Sequence, residues 1–264
     1  MGQRKYLLSN SMSEELKIFI IFLIGIFSAY FGSFSSGGVS ALWVWLLTFI
    51  GIPPQMATIT LKLGKIGDVL GWVYLFYKHG HIPTKYILWG SVMSIVWSFL
   101  GTYLIFSIPD KVIYLVSALS MMILALVSYF HGTRIHHIDN LSKKREYLYY
   151  ICLFFLTMIG NLFIAGSGVW YYFVNTFVLR LSSLEAKGIA TAMSLFWFIG
   201  TLLWVLAQGR YVISWALALA FGMLIGGYFG TKHIIRLGNS FMRKSLLLSI
   251  VLFALYFLYL AFAL

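Results

Sequence analysis

The chain is poor in charge. Only 10% of its 264 residues are Asp, Glu, Lys or Arg, and just 7 of those are acidic. A soluble domain carries about 25% charged residues. A chain this short of them cannot cover a water-facing surface, which excludes a soluble enzyme, a disordered tail and a nucleic-acid-binding domain. The single cysteine, Cys152, leaves no intrachain disulfide to form, and its chemistry suits a small buried apolar residue. No phosphate-binding Walker sequence occurs, so ATP is not the direct energy source. No His-Glu-x-x-His occurs and no histidine lies well inside an apolar run, which leaves an intramembrane enzyme without a recognisable constellation.

What the chain has instead is apolar sequence, 61% of the total. This much apolar residue in one chain reads as a polytopic membrane protein. Apolar runs lie near 16–34, 39–51, 54–77, 84–107, 110–130, 147–165, 168–180, 183–207, 211–232 and 240–262. A crossing helix needs about 20 residues, so the runs at 39–51 and 168–180 are too short to span. Each follows a longer run across a glycine break, FGSFSSGGVS at 31–40 and NLFIAGSGVW at 161–170. Glu14, Glu15 and Lys17 interrupt any signal-peptide pattern, so the first run is read as a retained helix.

The paired breaks point to an internal repeat. At an offset of 129, Gly71 falls on Gly200, Gly80 on Gly209, Gly101-Thr102 on Gly230-Thr231, Leu119 on Leu248 and Ala125 on Ala254. An offset of 130 brings Gly38-Val39 onto Gly168-Val169. Five segments per half is odd, so the second copy enters the bilayer in the opposite sense. The expected architecture is all-α: a polytopic helical membrane protein of two inverted five-segment repeats with glycine-broken short helices. Its parts are an N-terminal tail (1–15), a first repeat (16–130), a linker (131–146) and a second repeat (147–264). Whether the short segments cross or re-enter is left open, since parity is the same.

Basic residues orient such a chain. One set of loops holds Lys78, Lys85, Arg134, Lys143, Lys144, Arg145, Arg180, Lys187, Lys232, Arg236, Arg243 and Lys244. The other holds Arg4, Lys5, Lys17, Lys111 and Arg210. The richer set is expected to face the cytoplasm, with both termini outside. The linker carries His131, His136, His137 and Asp139, whose spacing matches no metal pattern, so it reads as solvated chain. No cofactor or metal is implied. Ser182 and Glu185 have capping-box spacing, Pro53-Pro54 suits a helix start, and Arg180 and Lys187 flank the eighth segment as headgroup anchors.

Candidate site residues are the polar groups at membrane depth. Ser36, Gly37, Gly38 and Ser40 lie at the first break, and Asn161, Gly166, Ser167 and Gly168 at the second. A broken helix leaves N–H groups that attract an anion, although glycines at such places also serve close packing. The third segment carries Lys62, Lys65 and Asp68 on one face. Lys65 lies about 16 Å past Pro54, near the middle of a roughly 30 Å core. Ionisable groups there line a polar path or form a structural pair, Lys65 with Asp68. At the same offset the second half has Thr191, Ser194 and Trp197, so the charge is one-sided. Two cations near two helix starts suit a small anionic substrate.

The order of these motifs resembles the sulfite exporter TauE/SafE family of membrane permeases. The first half carries the resemblance in SSGGVSALWVWLLTFIGIPPQMATITLK, KHGHIPTKYILWG and SFLGTYLIFSIP. The second half carries it in IAGSGVWYYFVNTFVLRLSSLEAKGIATAMS, AQGRYVISWALALAFG and GGYFGTKHIIRLG. The resemblance implies a secondary transporter of a small anion, sulfite, a sulfonate or another organosulfur anion, working by alternating access in the bacterial inner membrane. The alternatives are an intramembrane enzyme and a membrane assembly factor without a transported substrate. The expected partners are the anion and the lipid bilayer, with no nucleic acid; the oligomeric state is open, a homo-oligomer included.

Overall fold

A computed structural model of the chain describes residues 13–35, 40–105, 108–130, 142–162, 167–209 and 211–263. The elements among them are helical: α1 (Glu14–Gly32), α2 (Ser40–Phe49), α3 (Pro54–Lys78), a 3-10 turn (Thr84–Tyr86), α4 (Ile87–Ile105), α5 (Asp110–Phe130), α6 (Lys143–Leu162), α7 (Ser167–Phe177), α8 (Ser183–Gln208) and α9 (Ile213–Ala263). Helix α9 is interrupted at Gly238, whose φ of 80° and ψ of −176° leave helical geometry. We call its arms α9a (213–237) and α9b (239–263). Phe34 lies against His233 before the break and against Phe241 and Ser245 after it. A straight helix would separate residues 233 and 245 by about 18 Å, so the chain folds back at Gly238. The ten apolar runs are therefore ten helical segments.

Local signals place the ends. Ser13 accepts from the Leu16 N–H at 3.3 Å, with Glu14 and Glu15 in the first turn of α1 where the helix dipole favours anions. Pro53 caps α3 and Pro54 opens it. The expected capping box is present on α8: Ser182 accepts from Glu185 N–H at 3.3 Å, and the Glu185 carboxylate accepts from Ser182 N–H at 3.0 Å. Gly80 and Gly209, aligned by the 129-residue offset, close α3 and α8 with φ of 72° and 62°, a conformation glycine reaches without a Cβ clash.

Large apolar side chains face outward over the bundle, Phe19, Phe27, Leu88 and Phe262 among them. A soluble monomer does not expose apolar surface on this scale. Three described helices have the length and hydropathy of a crossing: α1, α8 and α9. Helix α3 has 25 residues and is long enough, but Lys62, Lys65 and Asp68 set it apart.

Small residues hold the interior. Gly222, Gly226 and Gly230 of α9a recur every fourth residue, and a Cβ on each would strike the Phe22, Ile26 and Tyr30 carbonyls of α1. Gly67 and Gly71 of α3 meet the Ala220 and Leu224 carbonyls of α9a in the same manner, and Gly64 meets the Leu219 side chain. In lipid, where apolar burial between helices gains little, such backbone approach is what holds helices together. Helix α8 packs on α4 through glycine too, with Gly200 against the Ile95 carbonyl and Ser98, and Gly90 against the Met193 side chain.

The short helix α7 is 11 residues, about 16 Å, which is half a hydrocarbon core and too little to cross it. Tyr149 near the start of α6 donates to Asn175 Oδ1 near the end of α7 at 3.2 Å. Helix α7 therefore runs back along α6 and returns to the end of the bundle from which α6 set out. Residues 169–176 are all buried, so this re-entrant helix is enclosed by protein. The basic residues gather as the loop count implies. Lys85 pairs with Glu146 at 3.4 Å, and Arg145 feels Arg180, at one end of the bundle. Glu14 accepts from Trp215 at 3.1 Å at the other.

Candidate functional site

Helices α3 and α8 cross through the centre of the bundle in antiparallel sense. Lys62 of α3 lies 6.0 Å from the ring of Trp204, late in α8, and Trp72 of α3 lies 4.4 Å from Lys187, early in α8. Ionisable residues follow this seam. From Lys62 to Trp72 the distance along α3 is about 15 Å, half the thickness of a hydrocarbon core. Lys65 and Asp68 lie between.

Asp68 is 3% exposed and Lys187 is 2% exposed. Asp68 interacts electrostatically with both Lys65 and Lys187. Neither lysine stands within contact ion-pair distance of Asp68, unlike Lys17 with Glu14 and Lys85 with Glu146. The Asp68 Oδ1 atom is enclosed without a hydrogen-bond partner among the described residues. Two lysine side chains, Lys187 buried and Lys65 half-buried, thus face one enclosed carboxylate.

The surroundings fix the cluster. The Trp72 ring carries the Lys187 ammonium on its face, where the ring quadrupole attracts a cation. Its Nε1–H donates to Ser33 Oγ at 2.9 Å, and Ser33 Oγ donates to the Ala29 carbonyl at 2.9 Å. The indole is thus tied to the end of α1, next to the first break. On the other flank Gly227 of α9a touches the Asp68 backbone. Gly188, beside Lys187, brings α8 against the His81 carbonyl in the α3–α4 connection. Burial holds the His81 imidazole below the usual histidine value, with the Glu185 carboxylate opposing the shift.

Helix α7 supplies a second buried polar face. Asn175 Nδ2 donates to the Ala186 carbonyl at 3.4 Å, one residue before Lys187. Tyr171 OH shares a 2.6 Å hydrogen bond with Ser94 of α4, and Tyr172 OH donates to Ser183 Oγ at 3.1 Å. Asn239 Oδ1, just past Gly238, accepts from Leu184 N–H at 2.9 Å. The start of α8 is therefore held by α7, α9b and its own cap together.

The expected site residues divide three ways. Lys62 and Lys65 lie on the α3–α8 seam, as their shared face requires. Ser40 and Ser167 are the first residues of α2 and α7, Gly168 is the second of α7, and Asn161 is in the last turn of α6. Ser36, Gly37, Gly38 and Gly166 fall outside the described residues, as do the linker histidines and Asp139. Ser167 lies eight residues, or about 12 Å, deeper than Asn175. Helix α7 thus starts inside the bundle, as a broken helix should.

Lys187 needs a correction. Its place five residues into a segment reads as a headgroup anchor, yet it is buried among Trp72, Asp68 and the α7 return. Sequence reasoning misses it because burial depends on α7 folding back over the start of α8. The one local signal is its company: Ala186, Gly188, Ala190 and Ala192 are too small for a lipid-facing helix stripe and mark close packing.

The profile of the family described as "Sulfite exporter TauE/SafE" matches residues 19–257. A "Probable membrane transporter protein" of Haemophilus influenzae is 24% identical over 226 residues, covering 85% of this chain and 88% of that one. No solved structure matches the chain.

Proposed function

Since the chain belongs to the sulfite exporter TauE/SafE family, a family of membrane transporters, we propose that it moves a small anion, sulfite or a sulfonate, across the bacterial inner membrane by alternating access. The observation that carries this reading is the pair of lysines, buried Lys187 and half-buried Lys65, around the enclosed Asp68 carboxylate where α3 and α8 cross. A cation in low dielectric is costly, and a bound anion lowers the cost. Lys65 and Lys187 are the binding cations, and Lys62 by Trp204 extends the path toward the opposite end. The starts of α2 and α7 would add fixed partial charge.

Alternating access needs two units that rock against each other, and inverted repeats over 16–130 and 147–262 provide them. The contacts support such a pairing. Gly64 against Leu219 and Gly90 against Met193 are the same contact shifted by 129 residues, with the small and large partners exchanged. Gly71 against the Leu224 carbonyl and Gly200 against the Ile95 carbonyl are a second such pair. The α3–α9a and α4–α8 contacts both run parallel, while α3 and α8 cross antiparallel. That combination fits a two-fold axis lying in the membrane plane. The linker side is the cytoplasmic side by its excess of Lys and Arg.

A proteoliposome screen of sulfite, sulfonates, thiosulfate, sulfate and small carboxylates tests the function. Saturable flux of a sulfur oxyanion supports it. Uniform absence of flux from folded protein points instead to an assembly factor.

A further inference from the structure

The anion-transport reading leaves Asp68 without a task, and the following rests on that reading. A transporter needs no carboxylate to bind an anion. A buried carboxylate beside the binding cations weakens their hold on a substrate of the same sign. Yet Asp68 is almost fully enclosed, its Oδ1 lacks a hydrogen-bond partner among the described residues, and the charged groups coupled to it are Lys65 on its own helix and Lys187 on α8. The neighbour from α9a is Gly227, which brings no charge. An unpaired buried carboxylate oxygen is expensive to keep.

We propose that Asp68 is the coupling group of the transporter: it takes up a proton as an anion enters between Lys65 and Lys187, so that anion and proton cross together. Charged Asp68 and an anion compete for the same two ammonium groups. Protonation removes one competitor, raises the net charge at the site and turns one carboxyl oxygen into a donor for the incoming oxyanion. By linkage, an anion already seated favours the proton on Asp68 to the same degree. The proton comes from water on one side onto a carboxyl oxygen and leaves from it to water on the other; no other bond forms or breaks. A monoanion moving with one proton carries no net charge, so its flux follows a pH gradient and ignores voltage.

The test uses the full-length protein in liposomes with methanesulfonate, whose charge stays at −1 throughout, and sulfite as second probe. With the outside acid by one pH unit, wild-type vesicles should accumulate methanesulfonate about tenfold, the factor equivalent to that gradient, while an entrapped dye reports proton entry. Asp68→Asn should lose accumulation yet still exchange labelled for unlabelled anion. A hydrophobic carbodiimide, which attacks protonated buried carboxyls, should label wild-type Asp68 and abolish accumulation, and this arm stands even where Asp68→Asn fails to fold. Flux without pH-driven accumulation, accumulation by Asp68→Asn, or carbodiimide inhibition without label on Asp68 overturns the coupling role alone. Absence of any flux of either probe overturns the transport reading and the coupling role with it.

Discussion

Helices α3 and α8 lie 129 residues apart in the chain, each closed by a glycine in left-handed conformation, each packed through glycine on a neighbour, and yet they differ in charge. Helix α3 carries Lys62, Lys65 and Asp68; α8 carries Thr191, Ser194 and Trp197 at the matching places, and Lys187 four residues before the first of them. Thr191 and Ser194 spend their hydroxyls on carbonyls of their own helix, at 2.7 Å to Lys187 and 2.8 Å to Ala190. The contrast separates two demands. Packing is met twice by the same device, because close helix approach needs only small residues at fixed spacing. Charge is placed once, across the seam, as the proposed binding of one anion by one set of cations requires.

Breaking the asymmetry should have the largest effect. Lys65→Met or Lys187→Met should lower anion flux at least tenfold, the loss of about 1.4 kcal/mol or more of binding, whereas Ser194→Met should leave flux within about threefold. Counterflow in proteoliposomes measures all three. Equal losses would mean that the seam, and not its charge, governs transport.

The symmetric half of the comparison predicts matched damage. Gly71→Leu and Gly200→Leu each force a side chain against a backbone carbonyl, so each should destabilise by about 1–3 kcal/mol, the usual cost of overpacking. Thermal unfolding in detergent should show similar falls in Tm. A large effect at one glycine alone would argue against a shared packing scheme.

Smaller effects sharpen the local account. Ser182→Ala removes the cap of α8 and should cost about 1 kcal/mol, read in the same unfolding assay, with Glu185→Ala costing no more. A cysteine placed at Ser142 should resist impermeant thiol reagents added outside intact cells, as a cytoplasmic position does; prompt labelling would invert the orientation.

Much of the fold was legible. The ten apolar runs fall on ten helical segments because runs of about 20 residues and glycine breaks are local properties. The Ser182–Glu185 box and the Pro53-Pro54 start are local too. The shared face of Lys62 and Lys65 followed from helical periodicity alone. Lys187 was not legible as a site residue, since its partners Asp68 and Trp72 stand more than a hundred residues away and meet it only through the antiparallel crossing. Nor was the return of α7 readable, because a short apolar run looks the same whether it crosses or folds back. The hydrogen bond from Tyr149 to Asn175, which fixes α7 against the start of α6, joins two residues unremarkable in sequence.

The central claim is that the α3–α8 seam binds the anion through its cations. Its most direct test is sulfite counterflow and thermal stability measured together on Lys65→Met and on Lys65→Met with Asp68→Leu. The single change leaves Lys187 facing Asp68, and Lys65 is half-buried and makes no contact pair with it, so stability should fall by no more than about 1 kcal/mol while flux falls at least about tenfold. The double change should stay folded without restoring flux. Full flux in the stable double variant would show that Lys65 only balances Asp68, and would contradict the account.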